Sequence, residues 1–183
     1  MFAEKKISNS MSHTKAELKN KQATYIEFKN NFACHWLGIV ITKADSPQAM
    51  EAELRSLMPR GMLQLVLIHL NAQLLSNPQA EEINEAIWSV HSDLHKKMQE
   101  DLMISRSFPH LPTKAEVSRI IDSTLDWAAE NIRRHVNTAI IADLLRQKVF
   151  RPEQFAKEFE AAEHAAWPER LRNACRGLLL RRS

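Results

Sequence analysis

The sequence predicts an all-α protein, a helical bundle of about six or seven helices around a buried central helix at residues 62–75. Three observations lead there. Glycine is scarce, at three in 183 residues, and no long alternating run of β-branched and polar residues occurs. Apolar stripes at helical spacing are separated by Ser-Pro, Asn-Pro and Arg-Pro breaks. The run from Met62 to Leu75 is apolar on nearly every side, so other helices must surround it. It is shorter than the roughly 20 apolar residues of a bilayer span. It also carries Gln64, His69, Asn71 and Gln73, which a span would avoid.

Residues 1–12 are polar, without period, and read as a disordered N-terminal segment; 13–183 reads as a single helical domain. From about Lys15, Leu18, Tyr25, Phe28, Phe32, Trp36 and Ile39 form a helical stripe. The β-branched run Ile39 to Thr42 favours strand locally, but a lone strand has no partner, so helix is preferred. Ser46-Pro47 offers an N-cap followed by Pro at the first helical position. Pro59 then ends or kinks that helix ahead of the central one. Asn77-Pro78 opens the next, with stripe Ile83, Ile87, Val90, Leu94, Met98 and Leu102. The two prolines of Arg106 to Pro112 mark a loop, and a candidate subdivision of the domain falls near 105–113. Thr113-x-x-Glu116 is a capping box for a long helix that Asn137-Thr138 kinks or divides. Arg151-Pro152 and Trp167-Pro168 start two more, the last a basic helix at 169–181. The four tryptophans, Trp36, Trp88, Trp127 and Trp167, are expected to be largely buried.

The N-terminus has no apolar core of a secretory signal. Cys34 and Cys175 therefore read as reduced thiols of a cytoplasmic protein, bacterial in style. The net charge of +3 hides an asymmetry: residues 1–30 carry +3, residues 168–183 carry +4 and the middle is net negative. Basic ends meet nucleic acid, acidic proteins or anionic lipid, or simply face water.

Four constellations bear chemistry. His91-x-x-x-His95 puts two imidazoles on one helical face, as zinc sites do, but a third ligand is lacking, and two boundary histidines are the plainer reading. Asp122, Asp126 and Glu130 form a carboxylate row that either holds a divalent cation or, with Arg119, Arg133 and Arg134, makes a solvated salt-bridged face. Glu81-Glu82-x-x-Glu85 is similar to the EExxE pattern of the all-α nucleotide pyrophosphatases. That resemblance implies Mg²⁺ beside a triphosphate, but the family's second half, ExxD one helix later, is missing here. Three acids in the opening turns of a helix are also explained by its dipole. Residues 138–163 invite a helix-turn-helix comparison, with Arg151, Gln154 and Lys157 placed to read base edges; Glu153, Glu158, Glu160 and Glu163 oppose it.

Tail residues Arg170, Arg172, Arg176, Arg181 and Arg182 suit phosphate or an acidic partner. The sequence has no Gly-rich phosphate loop, Ser nucleophile elbow or Cys/His cluster, and it implies no cofactor. It thus points to a non-enzymatic helical regulatory or adaptor protein acting through a protein partner or self-association. Nucleic-acid binding by 138–163 and the basic termini is the alternative, and a Mg-dependent pyrophosphatase the remote one.

Overall fold

A computed structural model describes residues 2–42, 46–104 and 113–147, all-helical and without a strand among them. The helices are α1 (Phe2–Thr42), α2 (Pro47–Ala72), α3 (Ala80–Ile104), α4 (Lys114–His135) and α5 (Thr138–Arg146). Helix α2 packs against each of the other four, and α3 packs against both α1 and α4. The bundle agrees with the sequence; the count among the described residues is five rather than six or seven. The helices expected after Arg151-Pro152 and Trp167-Pro168 lie outside the described residues. So does nearly all of the candidate subdivision near 105–113, although α3 and α4 on either side of it pack together.

Pro59 accounts for another missing break. It lies inside α2, which runs through it without interruption. An interior proline costs about 3 kcal/mol. Opposing that cost, Met50, Leu54 and Met58 before it and Met62, Leu65 and Leu70 after it are all fully buried. Each such side chain contributes about 1.5–3 kcal/mol, and one continuous helix keeps both sets in register. Arg55, whose carbonyl Pro59 cannot serve, is an exposed residue.

Helix α2 ends at Ala72, short of the expected Leu75. Leu74 adopts a left-handed φ of 61°, and the Leu75 amide reaches back to the Leu70 carbonyl at 3.1 Å while the Leu74 amide bonds Asn71. These are the two bonds of a Schellman stop, with leucine where glycine is usual.

Local capping follows the sequence at Ser46 and Thr113, and a third cap makes the division expected at Asn137-Thr138. Ser46 Oγ accepts from the Ala49 amide, with Pro47 at the first helical position. Thr113 and Glu116 form both halves of the capping box. Asn137 Oδ1 accepts from the Ile140 amide at 2.9 Å, and extended Val136 before it divides α4 from α5. At the start of α3 the cap is displaced. The Gln79 amide donates to the Glu82 carboxylate at 2.7 Å, so the helix begins at Ala80 rather than beside Asn77. In α1 the backbone is helical from Phe2 and stays so through Thr42; residues 2–37 contain neither glycine nor proline to interrupt it.

The core is lined by Tyr25, Phe28, Phe32 and Trp36 of α1 and by the apolar stripes of the other helices. Trp36 is 2% exposed, but Trp88 is 41% and Trp127 36% exposed, which corrects the expectation that they are largely buried. Each neighbours the buried stripe in sequence, Trp88 after Ile87 and Trp127 before Ala128. One helical step turns a side chain by about 100°, enough to carry it to the rim. Trp167 lies outside the described residues.

Helices α1 and α2 approach closely at Gly61. A Cβ there would stand 2.7 Å from Trp36 Cζ2 and 2.8 Å from Phe32 Cε1. Gly61→Ala gains about 1 kcal/mol of helix propensity. It also forces two packed aromatic rings aside, which costs about 1–3 kcal/mol. We expect the variant to unfold at lower urea concentration than the parent; equal or greater stability would contradict this close approach.

Candidate functional site

The outer seam between α3 and α4 carries a ladder of polar contacts. His91 Nε2 lies 2.8 Å from Asp126 Oδ1, and His95 Nε2 lies 2.9 Å from Asp122 Oδ1. Gln99 donates to Ser118 Oγ at 2.8 Å and to Asp122 Oδ1 at 3.0 Å. Each step of four residues up α3 meets a step of four down α4, which is the register of antiparallel helices whose i,i+4 rows face each other. The histidine pair and the carboxylate row, separate in sequence, are therefore two sides of one structure. The imidazoles lie nearly parallel, 6.4 Å apart with a 5° tilt. An ionised carboxylate only accepts, so the Nε2–H of each ring donates the hydrogen bond to aspartate.

Both Nε2 atoms face their own carboxylates, and among the described residues no group of three or more His, Cys, Asp or Glu is placed to hold a metal ion. The third acid of the row, Glu130, turns away to Arg133 at 2.7 Å and Arg134 at 3.1 Å. Hydrogen bonds from Arg133 first, and then Arg134, hold its carboxyl down at about 2.

Aromatic groups extend the seam into a band across the outside of α4. The Trp88 ring meets His91 edge-on at 5.2 Å, His91 bonds Asp126, and the next residue, Trp127, carries the Arg55 guanidinium of α2 at 5.4 Å from its centroid. The band thus links α2, α4 and α3 through Arg55, Trp127, Asp126, His91 and Trp88. Two indoles and a carboxylate are held at its surface, with the Asp126 side chain 69% exposed.

A second polar cluster joins α1, α2 and α3 in a more buried setting. The Tyr25 hydroxyl donates to Asp93 Oδ2 at 2.7 Å, and its ring meets His69 at 5.0 Å. Gln73 lies 3.1 Å from His69 Nε2. Burial first, then the bond to Asp93, pushes the Tyr25 phenol far above its usual range. Burial lowers His69 against the opposing pull of Asp93. This cluster locks the docking of α1. The sequence did not reveal it, because Tyr25 and Asp93 are 68 residues apart and nothing local to either announces the other.

Of the Glu81-Glu82-x-x-Glu85 acids, Glu82 accepts from the Gln79 amide at the start of α3, while Glu81 and Glu85 are exposed. The residues assigned to nucleic acid or an acidic partner, Arg151, Gln154 and Lys157 and the tail arginines from Arg170 to Arg182, lie outside the described residues. No helix among the described residues is long and apolar enough to cross a membrane. No family model, curated protein or solved structure matches the chain.

Burial pushes the His35 imidazole on α1 down from 6.5 to about 4. The folded state therefore keeps His35 neutral where the unfolded chain takes up a proton. Its contribution is complete above pH 6.5 and is lost progressively as pH falls from there to about 4. His69 acts in the same direction. We expect the urea midpoint to fall between pH 7 and 4.5, and His35→Gln to flatten that fall; a parent midpoint constant over this range would contradict the buried setting of His35.

Proposed function

We propose that the chain is a non-enzymatic helical adaptor or regulatory protein that acts by binding a protein partner. The observation that carries this reading is the pair of part-exposed tryptophans on the α4 band, Trp88 against His91 and Trp127 beneath Arg55. A fully buried large apolar side chain contributes about 1.5–3 kcal/mol, and these two indoles forgo part of it. Binding gives that loss a use, since Trp and Arg are the residue types most enriched where interfaces concentrate their energy. Both indoles are already contacted by a neighbour, so less side-chain freedom is lost when a partner arrives.

Helix α2, with its buried stretch from Met62 onward, acts in this reading as the scaffold on which α3 and α4 hold the band. We read the protein as cytoplasmic, with Cys34 and Cys175 as reduced thiols.

The test compares the parent chain with a Trp88→Ser, Trp127→Ser double variant. Both should give the same helical circular dichroism. Proteins retained by the parent are identified by mass spectrometry, purified and titrated against both chains. The reading predicts binding at least about tenfold weaker for the double variant, as expected of central interface aromatics. Undiminished affinity would overturn it. So would Mg²⁺-dependent nucleotide hydrolysis by the parent that disappears in Glu82→Ala.

A further inference from the structure

We propose that Trp88 and Asp126 form a seat for an arginine side chain of the partner protein; this rests on the adaptor reading and names the chemistry of its contact. The two groups are tied together by one imidazole. His91 meets the Trp88 ring at 5.2 Å on one side and Asp126 Oδ1 at 2.8 Å on the other. The indole is 41% exposed and the carboxylate side chain 69% exposed. His91 itself is only 17% exposed in its side chain, so it acts as the support beneath them. Oδ1 of Asp126 takes the His91 bond, and among the described residues Oδ2 has no hydrogen bond.

An arginine fits this arrangement better than a lysine. Its planar guanidinium stacks on an indole and directs N–H groups toward a carboxylate, whereas an ammonium is a hydrated point charge. The same surface already shows the pairing one residue along the chain, where Arg55 sits over Trp127. The seat carries its own negative charge: Asp122, one turn from Asp126, is 47% exposed, while on the other side Glu130 is engaged by Arg133 and Arg134, which leaves that end net positive. A phosphate placed on the seat itself would meet the two exposed aspartates and be repelled.

The experiment uses the full chain and an alternating Arg-Ala peptide, with its Lys-Ala counterpart and duplex DNA as separate arms. The readout is the Trp88 indole N–H resonance, assigned from its loss in Trp88→Phe. Asp126→Asn keeps an oxygen for His91 and removes the charge. The proposal predicts a saturable shift of the Trp88 signal with the arginine peptide, clearly weaker affinity for the lysine peptide, and a loss of about fivefold or more in Asp126→Asn, in line with charge-assisted bonds. Equal affinity for the two peptides, an unchanged Asp126→Asn or a matching shift with DNA would overturn it. If the arginine seat fails while the tryptophan double variant still loses its partner, the adaptor reading stands without it. If the peptide binds as described while the double variant keeps its partner, the seat stands and the adaptor reading falls.

Discussion

The bundle depends on α2 remaining one helix from Pro47 to Ala72. It is the element against which all four others pack, so its register sets theirs. Its sequence argues locally for a break, with Pro59 followed two residues later by Gly61. Burial reverses both signals. Leucine and methionine side chains on either side of Pro59 outweigh the missing hydrogen bond, and the absent side chain of Gly61 leaves the space that Phe32 and Trp36 fill. A residue that weakens an isolated helix is here the one that admits α1.

Outside that apolar core, polar pairs fix how the helices are seated. Tyr25 and Asp93 fasten α1 to α3, while the His–Asp and Gln–Ser rungs fasten α3 to α4. Apolar contact is nondirectional and would tolerate small slides of one helix along another. A ladder of bonds near 2.8–3.0 Å tolerates far less, because the whole i,i+4 row must move together. The same ladder sets the place of Trp88 and Trp127, so the candidate surface follows from the seam and not from either helix alone.

Much of the fold was legible because its signals are local. The caps at Ser46 and Thr113 depend on residues three apart, and the apolar stripes on steps of three and four. What was not legible depends on neighbours distant in the chain. Pro59 is overruled by packing, and the cap of α3 passes to Gln79 because Glu82 reaches back to it. The rows His91/His95 and Asp122/Asp126 were each visible, yet their matching i,i+4 spacing across an antiparallel hairpin was the signal that joined them and went unused. The tryptophans lie one helical step from the stripe, where composition favours burial and only the packed neighbours decide. The basic residues assigned to nucleic acid lie outside the described residues, so the band on α4 emerges from structure alone.

The central claim is that the seam holds these two indoles in place before any partner arrives. The most direct measurement is ¹⁵N relaxation of the Trp88 and Trp127 indole N–H groups in the free protein. Held indoles should give order parameters close to rigid backbone, roughly 0.85. Values below about 0.6 for both, typical of freely moving groups, would contradict the account.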